Sequence, residues 1–163
     1  MAANGFIAMQ GAVSALDHLT GRSTALEAEW LAKSQAGDPL PKATYLMLLT
    51  QVVADAQTDM TTLTGIEAAG TGYARQPVPW LASATATRTA STSDLVQFGP
   101  FSDATGLAAP VTGAALVTRM TSSAGQPAGL VLMTWNLDTP ISTSQNQALQ
   151  LAPGSLQMTL AVS

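Results

Sequence analysis

Residues 43–53 read ATYLMLLTQVV, and the choice between strand and helix here decides the fold. The run is apolar at odd and even positions alike, so a strand made from it must be covered on both of its faces. A buried helix is the competing reading. Asp38-Pro39 and Pro41 lie just upstream and favour the strand. With that choice made, the chain downstream reads as β.

Three runs of strand length follow, separated by Gly, Pro, Ser and Asp clusters: DLVQFG at 94–99, GAALVTRM at 113–120 and GLVLMTWNL at 129–137. Near the end, Leu156, Met158, Leu160 and Val162 alternate with Gln157, Thr159 and Ala161, the pattern of a half-buried strand. Turn signals at this spacing point to an antiparallel sandwich or barrel. Upstream, Phe6, Ile7, Met9, Val13, Leu16 and Leu19 recur mostly at three- and four-residue intervals, which predicts a helix over 6–20 that stops at Gly21. Ser23/Thr24 followed by Glu27 resembles a capping box and predicts a second helix at 24–35, ended by Gly37-Asp38-Pro39. The expected architecture is mainly β with N-terminal helices. An N-terminal helical segment occupies 1–40, and a single antiparallel β-sandwich or barrel-like domain occupies 41–163.

Between these parts lies TGYARQPVPW at 71–80, preceded by Gly70. Pro77 and Pro79 withdraw their N–H groups from any ladder on the side they share, which places the segment at a sheet edge. Arg75 there reads as a bidentate tie to a carboxylate or to backbone carbonyls, and Tyr73 and Trp80 are amphipathic anchors of the type found in interface cores. Tyr73, Arg75, Gln76, Pro77, Pro79 and Trp80 are the interface candidates. The segment either locks the sandwich or meets another subunit. In the second case Arg75→Ala leaves the fold intact and reduces incorporation into a particle. Lost thermal stability with normal incorporation makes Arg75 an internal tie. The following LASATATRTASTS, 81–93, has side chains too small to define a face and reads as a loop or weakly specified strand.

The order of local motifs is similar to that of a family of small tailed-phage virion proteins labelled tail-fibre or minor tail proteins. The resemblance spans nearly the whole chain and rests on ALDHLTG at 15–21, TYLMLLT at 44–50, GTGYARQPVPW at 70–80, QFGPFSDATG at 97–106 and LAPGSLQMTLA at 151–161. Its most specific piece is Gly72-Tyr73-Ala74-Arg75-Gln76. Ser23 to Asp38 departs from the pattern as an added helical stretch, a possible docking element. The resemblance implies a virion protein made in the bacterial host cytoplasm, associated with tail or fibre. A capsid decoration protein on the outer head is the alternative address.

Composition agrees with permanent assembly. Only 10 % of the 163 residues are charged, six basic and ten acidic, and after Arg119 the one charged side chain is Asp138. A soluble monomer usually carries about a quarter to a third of its surface as charged residues. A small-residue, charge-poor exterior loses little when a neighbour covers it. The net charge of −4 leaves no electrostatic footprint for nucleic acid. Residues 1–16 lack the basic start of a secretory signal, and no run has the roughly 20 apolar residues of a membrane span. The expected partners are other virion proteins and further copies of this chain, with no nucleic acid and no membrane.

Chemistry-bearing constellations are sparse. Cysteine is absent and His18 is the sole histidine, so the usual zinc sites cannot be built. His18 reads as a helix-surface or packing residue. Asp55 and Asp59, with Glu67 beyond, read as a solvated loop between strands rather than a cation site. Asp94 and Asp103 leave open a carboxylate pair of the glycosidase kind. A glycan-binding module, the rival of a different class, requires Trp30, Trp80 and Trp135 to gather on one exposed face. The expectation is a non-enzymatic structural protein with no cofactor and no metal.

Overall fold

The computed structural model describes residues 3–54, 59–81, 89–120 and 129–159. The chain is mainly antiparallel β with two N-terminal helices. Residues Tyr45–Leu49 form strand β2, and all five side chains are buried. β2 lies inside a five-stranded sheet between β6, Val111–Val117, and β3, Gln76–Pro77. Beyond β6 come β7, Val131–Ile141, and then β1, Ala3–Ile7, giving the order β1-β7-β6-β2-β3 with every pair antiparallel.

Both faces of β2 are covered because both are apolar. Leu46 and Leu48 pack with Val96 and Phe98 of β5, Val96–Phe98, and with Leu149 and Leu151 of β8, Leu149–Leu151. β5 and β8 pair with each other as a two-stranded ribbon, so the second layer of the sandwich is a ribbon rather than a full sheet. A second ribbon joins β4, Thr89–Ser91, to β9, Gln157–Thr159. On the opposite face Tyr45, Met47 and Leu49 pack with Met60 and Leu63 of helix α3, Met60–Gly65, and with Val53, Val117 and Val131. Helices close the side that a plain sandwich leaves to a second sheet or to water.

Two register shifts, near Val111/Gly113 and at Leu116/Val117, let β6 and β7 serve both cores. At the second, Leu116 faces Met133 and Val117 faces Val131, so Leu132 is the extra residue. Val131 then belongs to the helix-side core, whereas Met133 and Trp135 pack on the ribbon side. A one-residue slip exchanges the faces of a strand.

The N-terminus departs from the expected helix over 6–20. Ala3–Ile7 is a strand paired with Leu137 through Met133, and helix α1 begins only at Met9 and ends at Leu19. Five residues of ladder against β7 satisfy backbone groups that an isolated helical turn leaves open at its start. The first 40 residues thus contribute a strand of the main sheet as well as two helices. Helix α2, Ala25–Gln35, has the anticipated capping box: Thr24 Oγ1 accepts from Glu27 N–H at 2.9 Å, and Glu27 Oε2 accepts from Thr24 N–H at 3.0 Å. The expected solvated loop near Asp59 is instead the short α3, because Asp59 Oδ1 caps it by accepting from Thr62 N–H at 2.8 Å. Asp55 lies outside the described residues, as do 82–88 of the low-complexity run and Leu160 and Val162 of the terminal alternation.

Both long helices turn their polar or small residues inward. α1 meets β7 through Gly11, where a Cβ would stand 2.5 Å from the Leu132 carbonyl oxygen, and it also buries Ser14. Its Gln10 Oε1 accepts from Val131 N–H at 2.8 Å. α2 buries Glu29 and Lys33, four apart on one face, and leaves Leu31 exposed.

Candidate functional site

β3 occupies one edge of the main sheet, pairing only with β2 through Tyr45↔Pro77 and Leu46↔Gln76. Pro77 is exposed there, as a residue without an N–H can be on an edge strand. The loop leading into it is built around Gly72, whose φ of +93° lies in the left-handed region. A Cβ at this position would also stand 2.5 Å from the Pro100 carbonyl oxygen, so two independent constraints demand glycine. The loop is pinned from the other side by Asp103, whose Oδ2 accepts from Thr71 N–H at 2.6 Å. That backbone hydrogen bond holds the Asp103 carboxyl below its usual range. Gly72→Ala is expected to cost at least about 2 kcal/mol in urea denaturation. An unchanged midpoint would show that the loop tolerates a side chain.

From this loop, Tyr73 and Arg75 reach back under the sheet. Arg75 is buried, and its guanidinium holds Glu67 with both prongs, Nε to Oε1 at 2.8 Å and Nη2 to Oε2 at 2.7 Å. Its remaining prong, Nη1, donates to the Arg119 carbonyl at 3.1 Å. Tyr73 Oη donates to Glu67 Oε1 at 3.0 Å and accepts from Leu48 N–H at 3.1 Å, while its ring stacks on Phe98 at 6.1 Å between centroids. Burial pushes the Tyr73 phenol well above its usual range, with the Glu67 carboxylate adding to the shift, so it remains a donor. Glu67 thereby accepts from Arg75 and Tyr73 together. An open hollow of about 510 Å³ lies above this cluster, lined by Thr64, Glu67, Tyr73, Arg75 and Met120 among others.

The remaining edge candidates divide. Trp80 is half-buried against the ribbon-side core, and its Nε1–H donates to Thr44 Oγ1 at 2.9 Å. Gln76 donates to the Ala74 carbonyl of its own loop at 2.9 Å. Pro79 is half-buried, and its carbonyl accepts from Ser93 N–H at 2.8 Å, joining the edge to the end of β4. The structure therefore brings Tyr73 and Arg75 together on Glu67. It leaves Pro77 as the candidate most open to a neighbour.

Sequence reasoning missed the second polar cluster. Glu29 of α2 holds Arg119 with both carboxylate oxygens, Arg119 Nη2 to Oε2 measuring 3.1 Å. Lys33 Nζ donates to the Thr118 carbonyl at 2.9 Å and to the Ala43 carbonyl at 3.3 Å, lies 3.5 Å from Asp38, and sits 5.3 Å from the Tyr45 ring centroid. A Glu and a Lys four apart usually mark a solvated helix face, so spacing alone carried no warning.

Other candidate chemistry is dispersed. His18 is on the surface, 3.5 Å from Glu27. Asp103 is committed to Thr71, and Asp94 is exposed in the turn before β5. Trp135 is buried in the ribbon-side core, Trp80 packs at the β3 edge, and Trp30 lies on α2 with Lys42 Nζ 5.7 Å from its ring centroid. The three tryptophans share no exposed face. Among the described residues no three His, Asp or Glu side chains gather to hold a metal, and no helix is long and apolar enough to cross a membrane.

The fold and site define a class: an antiparallel β protein in which three ionic side chains, Glu29, Lys33 and Arg75, are buried as ties between its own elements. Residues 21–159 match the family described as "Podophage GP4 fiber I protein gp80". The chain belongs to that family of phage fibre proteins, and it is on this ground a virion structural component that associates with other parts of the particle. No curated protein and no solved structure matches it.

Proposed function

We propose that this chain is a non-enzymatic structural part of a bacteriophage tail or fibre, held on the particle by contacts between charge-poor protein surfaces. The observation that carries the reading is the commitment of its clustered polar side chains to partners within the chain. Glu67, Arg75 and Tyr73 satisfy one another, Glu29 and Lys33 anchor a helix, and Asp103 and Asp59 serve backbone amides. Glu67, Tyr73 and Arg75 border the open hollow, but their hydrogen-bonding atoms are already engaged with one another, with Leu48 N–H and with the Arg119 carbonyl, whereas a catalytic group needs a reactive atom left for a substrate. The apolar groove of about 490 Å³ between the main sheet and the β5–β8 ribbon, bordered by Leu46, Phe98, Trp135 and Leu149, has no charged residue in its lining. Synthesis in the host cytoplasm followed by assembly into the virion fits this reading, with other virion proteins as partners and neither nucleic acid nor membrane.

The test is mass spectrometry of separated heads and tails with copy number. Low-copy recovery with tails is the expected result. High-copy recovery on heads alone would replace it with the capsid-decoration reading. Saturable quenching of tryptophan fluorescence by oligosaccharides would favour a glycan-binding module; no quenching is expected.

A further inference from the structure

The outer face of α1 is apolar in a way its packing does not require. Met9 is 48 % exposed, Val13 48 %, Leu16 62 % and Leu19 81 %, while Gly11 faces the sheet and Ser14 is buried. Met9, Val13 and Leu16 are separated by four and three residues, and Thr20 follows after four more, so the stripe has the alternating spacing of a helix–helix seam. Ile7, also exposed, prolongs it at the start. The stripe itself contains no charged residue. It precedes residue 21, where the match to the fibre family begins, so it is a feature of this chain rather than of the matched span.

We propose that this stripe is a self-association surface, on which α1 of a second copy packs antiparallel about a two-fold axis near Val13. Charge complementarity selects both occupant and direction. The N-terminus of α1 has no side-chain cap and no acid in its first turn; Ala8 at the cap is buried, and Met9, the first helical residue, is exposed. At the other end Asp17 flanks the stripe, and among the described residues its carboxylate has no hydrogen-bond or ion-pair partner. An antiparallel pair sets each Asp17 beside the partner's uncapped N-terminus, where the helix dipole favours a negative charge. A parallel pair would instead bring the two Asp17 together and align the dipoles unfavourably. Met9 of one copy then meets Leu16 of the other, and Val13 meets Val13. Such an isologous contact closes as a dimer.

An eleven-residue helix spans only about 16 Å, so its seam falls below the roughly 800 Å² per partner of a standard interface. The association is accordingly weak in free solution and strengthened where the particle holds copies close together. It does not depend on the address of the protein in the virion.

Sedimentation equilibrium of the purified chain over a concentration series tests it. A reversible monomer–dimer equilibrium is expected, with dissociation in the micromolar range. Leu16→Glu, on an exposed side chain, should weaken dimerisation at least tenfold with an unchanged thermal melt, and Leu31→Glu on α2 should leave it unaltered. Because the chain has no cysteine, Val13→Cys should form an intermolecular disulfide under mild oxidation and Met9→Cys should not. Efficient cross-linking of Met9→Cys would overturn the antiparallel direction. A wild-type chain that stays monomeric throughout, or dimers indifferent to Leu16→Glu, would overturn the proposal. Monomeric protein whose Leu16→Glu variant is lost from particles would assign the stripe to a different virion protein.

Discussion

Arg75→Ala is expected to lower the stability of the fold by about 3 kcal/mol, the lower end of the usual cost of breaking a buried ion pair. For a domain of this size that corresponds to a fall of roughly 6–12 °C in Tm. The deletion strips Glu67 of two charge-assisted hydrogen bonds and the Arg119 carbonyl of a third. Glu67 keeps Tyr73 as a donor and retains some solvent contact, which is why the lower end applies. Arg75→Lys should recover only part of the loss, since a point charge cannot reproduce the planar fork. Arg75→Met combined with Glu67→Leu should be markedly more stable than Arg75→Ala, because no charge is then left buried without its partner. Calorimetry of the three variants decides the matter. Unchanged Tm with poor incorporation into particles would return Arg75 to the interface role that its place in an edge segment first suggested.

Glu29→Ala has the second largest expected effect, again about 3 kcal/mol, but with a local signature. Glu29 is the acceptor through which α2 holds Arg119 and also contacts Thr118 Oγ1 at 3.4 Å. Without it, the Glu29–Arg119 ion pair and the Thr118 contact are lost, and among the α2 side-chain ties Lys33 to the Thr118 and Ala43 carbonyls remains. Because α2 contributes little apolar burial of its own, amide exchange along Ala25–Gln35 should accelerate more than exchange in β2 or β6. Glu29→Gln should fall between, keeping the shape and one acceptor oxygen. Uniform exchange rates in all three proteins would mean that packing, not this ion pair, holds the helix.

Several elements were legible in the amino-acid order because their causes are local. The Thr24/Glu27 capping box closes within three residues, and the two prolines keep QPVP at a sheet edge through the N–H groups they lack. For Arg75 the sequence leaves a carboxylate or backbone carbonyls as partners, and the guanidinium takes both, Glu67 eight residues away and the Arg119 carbonyl. The helix start was misjudged: Phe6 and Ile7 fit a helical spacing equally well, but a ladder to residues 133–137 claims them. The short α3 was missed as well, since Asp59 announces a cap only if a helix follows.

What the order of residues determined by itself was the strand character of TYLMLLT with two faces to cover, the capped second helix, the edge position of the GYARQPVP segment and the scarcity of exposed charge. Only the tertiary structure decided which side of each helix meets the sheet, and that Glu29, Lys33 and Arg75 turn inward while Met9, Val13, Leu16 and Leu31 turn outward. The physical reason is that periodicity states which side chains share a face but not what that face touches. The touching groups lie far along the chain, 90 residues away for Glu29 and Arg119 and 121 for Gln10 and Val131, and a buried polar face becomes favourable only once those distant partners are in place.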